Sequence, residues 1–113
     1  MDFVEAVRLG CEKTTKVRGL FHFSNREITG ACVLGAAFLG AELQIGNNLE
    51  FIGTSEVASK LREMFPVLNA ASMPCPAERC GCMMLMTPTV LAVHLNDFHR
   101  WDRISIAEYI QNL

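Results

Sequence analysis

Residues 24–42 read SNREITGACVLGAAFLGAE, and the way this stretch folds decides the architecture. Ser24 is a good helix N-cap, and Glu27 stands three residues on, the spacing of a capping box. Phe23 and Ile28 occupy the N′ and N4 positions of a hydrophobic staple. Residues 28–41 carry no charge. That run is shorter than the roughly 20 residues a membrane span needs, so it reads as a buried core helix. Gly30, Gly35 and Gly40 would each cost about 1 kcal/mol against Ala in a helix interior. Three of them imply neighbouring backbones that approach closely. The stretch therefore predicts one central helix over Ser24–Glu42, apolar all round, in the middle of a bundle.

Working outward, Asp2 caps a first helix whose face carries Phe3, Val4, Val7 and Gly10 or Cys11. It fades at the β-branched pair Thr14-Thr15. Leu20–Phe23 reads as a short extended piece, and Gly46-Asn47-Asn48 as a turn. Leu49–Gly53 alternates weakly and would pair with Leu20–Phe23 in a minor ribbon. Thr54 or Ser55 caps a third helix with Val57, Leu61 and Met64 on one face, ended by Pro66. Pro76 suits the first position of a short helix. Thr87-Pro88 opens another through Leu91, Leu95 and Phe98, and Asp102 caps a last one that buries Ile106, Ile110 and Leu113. The expected fold is all-α: a single domain over residues 1–113, with five or six short helices around the central one and room for a two-stranded ribbon.

The chain has 113 residues, of which 50% are hydrophobic and 19% charged, with a net charge of −2. This balance excludes disorder. Lys and Arg are scattered rather than striped, which argues against nucleic acid as a partner. The opening MDFVEAVRLG lacks the basic start of a secretion signal, so a cytoplasmic protein is expected, with no membrane span. So high an apolar fraction in so small a chain suggests a homodimer or another protein partner.

Five cysteines are an odd number, and three lie within eight residues. Cys75, Cys80 and Cys82 follow a C-x4-C-x-C spacing around a Gly that allows a tight loop. Thiolates in such a loop suit zinc or an iron–sulfur cluster. Three ligands leave one missing, to be supplied by His94, His99, His22 or Cys32. The alternatives are buried core cysteines beside methionines, and thiol redox chemistry.

A second polar group lies in HLNDFHRWDRISIAEY. His94, Asn96, Asp97, His99 and Arg103 place acid, base and amide groups within ten residues, the raw material of general acid–base catalysis. No nucleophile motif or phosphate loop accompanies them. The structural alternative is a corner between two helices, with Asn96 and Asp97 finishing one, Trp101 in the elbow, Asp102 starting the next, and Asp97 paired with Arg100 or Arg103. His22 alternates with Phe21 and Phe23, so it should face solvent. Lys13, Lys16, Arg18 and Arg26 around it either bind an anion near the Ser24 helix or form a solvated face.

His94-Leu95-Asn96-Asp97, His99, Trp101, Arg103, Ile106, Ala107 and Tyr109 resemble a C-terminal signature of a group of small bacterial and phage proteins. Ala31-Cys32-Val33-Leu34-Gly35-Ala36-Ala37 is similar to a core run in the same group, and Cys75-Pro76 matches a Cys-Pro pair between the two blocks. The match covers about a third of the chain. It implies a bacterial or phage origin and no particular chemistry. This chain departs at Ile104, where the group has Glu, and at Asp102, where it has Ser or Thr.

Two function classes lead: a non-catalytic interaction or regulatory protein, and a metal-binding protein using Cys75, Cys80 and Cys82. An enzyme using His94, Asp97 and His99 is a third.

Overall fold

In the computed structural model, which describes residues 1–44, 53–78 and 80–113, the decisive stretch is not one helix. It splits into the end of a hairpin and a shorter helix. Strand β2 (Phe21–Ser24) pairs antiparallel with β3 (Glu27–Ala31), and Ser24 faces Glu27 as the last rung. Asn25 and Arg26 between them both have positive φ, 51° and 67°, as the favoured two-residue hairpin turn of type I′ requires. A Ser-x-x-Glu capping box and a two-residue hairpin share the same spacing. Here the chain reverses instead of winding. The helix α2 covers only Val33–Gly40 and begins after Cys32.

The all-α expectation is thus corrected. The described residues hold five α-helices and a three-stranded mixed sheet of order β1-β3-β2. The short β1 (Thr15–Lys16) adds parallel to β3. The partner of β2 is therefore β3. Residues 49–52, the expected ribbon strand, lie outside the described residues. His22 is exposed between the half-buried Phe21 and Phe23, as the alternation requires.

The other helices fall close to their sequence signals. Helix α1 (Phe3–Lys13) is capped by Asp2, whose Oδ1 accepts from the Glu5 amide at 2.8 Å, and it ends before Thr14. Helix α3 (Thr54–Met64) stops before Pro66, which opens a single 3-10 turn (Pro66–Asn69). Helix α4 (Pro88–Asp97) carries Pro at its first position, where the missing N–H costs nothing. Helix α5 (Arg103–Gln111) is capped by Asp102. Among the described residues, the helix expected at Pro76 is absent. The segment around it is irregular and closed at its base by one pair of reciprocal bonds, Met73 N–H to Met86 carbonyl at 2.9 Å and the reverse at 2.8 Å.

Helix α2 does form the centre of the core. Every residue from Val33 to Phe38 is buried. It crosses α1 at backbone contact: a Cβ on Gly10 would run into the Ala36 carbonyl, and one on Gly40 into that of Ala6. Phe3, Val7, Leu34, Phe38, Val57, Leu61, Leu91, Leu95, Ile106 and Ile110 fill the space around it with no solvent exposure. The radius of gyration, 13.2 Å, is that of one body of this length.

Two buried polar side chains fix the sheet and helices to each other. Arg103 Nη1 donates to Thr14 Oγ1 (2.7 Å) and the Ala31 carbonyl (3.2 Å), and Nη2 donates to the Thr14 carbonyl (2.9 Å). Asn96 Nδ2 donates to the Val17 carbonyl (3.0 Å), while its Oδ1 accepts from the Val33 amide (3.2 Å). The stretches Ala31–Ala37 and His94–Tyr109 are thus in direct contact.

Candidate metal centre

The C-terminal end of α4 builds half of the site. His94 lies on its last turn. Arg100 takes a positive φ of 56°, and the Trp101 amide turns back to the Leu95 carbonyl at 3.1 Å. This curl returns His99 over the helix end. The two imidazoles meet edge to face with ring centroids 4.7 Å apart and Nε2 atoms 3.1 Å apart. Phe98 also packs against His94, with ring centroids 5.4 Å apart.

The irregular segment brings the other half. Cys80 Sγ lies 3.4 Å from His94 Nε2. Cys75, five residues before it, has its sulfur against Cys80 and accepts from the Ala77 amide. One ligand atom each from Cys75, Cys80, His94 and His99 fall within 4.8 Å of one another, and all four residues are half-buried. A tetrahedral ion bound at 2.0 Å by nitrogen and 2.3 Å by sulfur sets nitrogens about 3.3 Å apart and nitrogen and sulfur about 3.5 Å apart. The 3.1 and 3.4 Å separations are close to these edges.

The electrostatics favour the uncharged forms of His94 and Cys75. Burial lowers the His94 pKa, and the neighbouring His99 lowers it further, so its ring is neutral with a lone pair to give. Burial raises the Cys75 thiol, outweighing the Ala77 amide, and the sulfurs of Cys80 and Cys82 add to the rise. A divalent cation would reverse that balance by drawing off the thiol proton.

Of the other expected site residues, Cys82 is not among the converging ligands and instead lines an adjacent crevice. Cys32 is buried at the start of α2, and it too stands outside the group. Burial raises its thiol pKa, although the Gly35 and Leu34 amides pull the other way. The polar constellation is divided. His94 and His99 join the cysteines, whereas Asn96 and Arg103 serve the core. Asp97 accepts from Asn96 Nδ2 at 2.8 Å, and its carbonyl accepts from Arg18 at 2.9 and 3.1 Å. Neither Arg100 nor Arg103 pairs with it; the ion pair found among the described residues is Lys60–Glu63. Acid and base are therefore not gathered around one reacting atom. Trp101 does sit in the elbow, edge-on to Tyr109. Lys16 donates to its carbonyl at 2.6 Å, so Lys16 and Arg18 are committed to the corner rather than to an anion.

A crevice of about 510 Å3 opens beside the site between α3, α4 and the segment before α4, with His94 on its wall. Among the described residues, no helix is long and apolar enough to cross a membrane. Comparison of the chain with protein-family models, with curated proteins and with solved structures finds no match in any of the three.

Proposed function

We propose that this is a metal-binding protein that holds one zinc-like divalent ion through Cys75, Cys80, His94 and His99. The observation that carries the reading is the convergence of these four ligand atoms within 4.8 Å. Two sulfurs and two imidazole nitrogens suit zinc, and four protein ligands close its coordination sphere, which makes the role structural rather than catalytic. A Rieske-type iron–sulfur cluster needs its histidines and cysteines on different irons. Direct contact between Cys80 and His94 favours a single ion. In this role the ion staples residues 74–78 and 80–85, which have little secondary structure of their own, to the end of α4.

Metal analysis of protein purified under reducing conditions tests this. One equivalent of zinc is expected, lost in Cys80→Ser and in His99→Ala but kept in Cys82→Ser and Cys32→Ser. A protein free of metal after supplementation with zinc would end the proposal, as would a Cys82→Ser change that strips the ion.

Self-association rests on a separate observation. Met83 and Leu85 are 98% and 66% exposed on the stapled segment, unusual for side chains of their size. A second copy of the chain would cover them, and sedimentation of wild type against Met83→Lys reads whether it does.

A further inference from the structure

The crevice beside the metal site has its own chemistry. Its walls are mainly apolar: Leu34 and Ala58 at the back, Met84 and Met86 on one side, Val90 and Val93 along α4. Its volume lies within the usual range of small-molecule sites, about 300–1,000 Å3. Among the described lining residues there is no carboxylate, and Arg62 is the one permanent cation. Arg62 Nη1 donates to Thr89 Oγ1 at 3.3 Å, on the first turn of α4. The guanidinium thus stands at the positive end of a helix whose N-cap, Thr87, makes no side-chain capping bond. No described carboxylate lies within ion-pair distance of Arg62. Positive charge is concentrated at one end of an otherwise apolar trough. From Thr89 the trough follows α4 to Phe98, about 13 Å at the helical rise of 1.5 Å per residue. An extended decanoate chain has a comparable length.

We infer that this crevice binds an amphipathic monoanion, a medium-length aliphatic carboxylate whose head group meets Arg62 and the first turn of α4 and whose chain lies along Val90 and Val93 toward Phe98. The ligand is chosen by the wall: apolar contact supplies affinity, and Arg62 selects a single negative charge at one end. Neither step requires the ion, so the site goes beyond the metal reading.

Calorimetric titration of the full chain with decanoate, decanol and decylamine tests the inference, in zinc-loaded and chelator-treated protein. Decanoate is expected to bind one to one, at least tenfold more tightly than decanol, with decylamine weaker still. Arg62→Met should bring decanoate down to the decanol level and leave decanol unchanged. Val90→Trp, an exposed position at the mouth, should weaken both while the circular dichroism spectrum is retained. Equal affinity for decanoate and decanol would overturn the inference, and so would an Arg62→Met variant that binds decanoate as wild type does. Failure of decanoate to bind a protein that sediments as a dimer would overturn it in favour of a second copy as the occupant. Zinc stoichiometry, measured on the same samples, reports on the metal reading separately.

Discussion

Helix α2 is capped by a residue from another helix: Asn96 Oδ1, on α4, accepts the Val33 amide at 3.2 Å. The residue in the N-cap position itself, Cys32, makes no such bond. A cysteine there would ordinarily leave the buried first turn of the helix with unsatisfied donors. Asn96 supplies the acceptor and spends its amide group on the Val17 and Asp97 oxygens. Replacing it with Leu should cost about 2–3 kcal/mol, since it strands a buried amide and a half-buried carbonyl together. Asn96→Asp should cost nearly as much near neutral pH, because a carboxylate cannot donate to either oxygen and stands beside Asp97. Urea denaturation of both variants checks this. A loss below about 1 kcal/mol for Leu would mean that the capping role is unimportant.

The crossing of α1 and α2 leaves no room for even one methyl group. Gly10→Ala and Gly40→Ala each push a Cβ into a carbonyl of the facing helix, which has no rotamer with which to retreat. Each should destabilise by about 3 kcal/mol or more. At Gly53 nothing lies within 4 Å of an added Cβ, so Gly53→Ala meets no clash, exchanges only the N-cap of α3, and should stay within about 1 kcal/mol of wild type. Thermal melts of the three variants side by side separate close packing from the general effect of adding Ala.

Acid should weaken α5 through its cap. The Ser105 amide donates to Asp102 Oδ1 at 2.8 Å and the Ser105 hydroxyl to Oδ2 at 2.7 Å, and these bonds hold the Asp102 carboxyl below its usual pKa. A carboxyl with a depressed folded-state pKa contributes stability that is present above its unfolded value, about 3.9, and is lost as pH falls through the folded one. Asp102→Asn retains an oxygen acceptor and removes this titration. The stability difference between wild type and Asp102→Asn should therefore be constant near pH 7 and shrink below pH 4. Asp102→Ala should cost about 1 kcal/mol at neutral pH. Denaturation midpoints measured from pH 3 to pH 7 report both.

Metal removal should act locally before it acts globally. With free zinc a thousandfold above its dissociation constant, binding contributes about 4 kcal/mol to stability. A chelator should lower the melting temperature. Hydrogen exchange should accelerate first at the Met73 and Met86 amides, whose paired bonds close the base of the stapled segment. Equal protection of those amides with and without zinc would show that the ion does not staple the segment.

The sequence is legible where the signal is local. Asp2, Asp102 and the Thr87-Pro88 pair each announce a helix start through groups two or three residues apart, and each helix begins there. Ser24 and Glu27 mislead for the same reason, since their spacing serves a cap and a hairpin equally. Choosing between the two depends on β1, whose pairing of Thr15 and Lys16 with Gly30 and Ala31 no short-range pattern reveals. The cysteine–histidine group falls between these cases. Cys75 and Cys80 stand out in the sequence, and His94 and His99 are candidates to complete them. A shared spacing marks the four: the two cysteines and the two histidines are each five apart. Cys82, two residues beyond Cys80, reads equally well as a third ligand, but it lines the crevice instead.

The Phe3 amide donates to Gln111 Oε1 at 3.1 Å, and Arg103 reaches back to Thr14 and Ala31. Helix α1 and the sheet are therefore held by α5. During synthesis both leave the ribosome well before the guanidinium that binds their carbonyls, so α1 and α2 can dock early while the fastening of the sheet to α5 is a late, long-range step of folding.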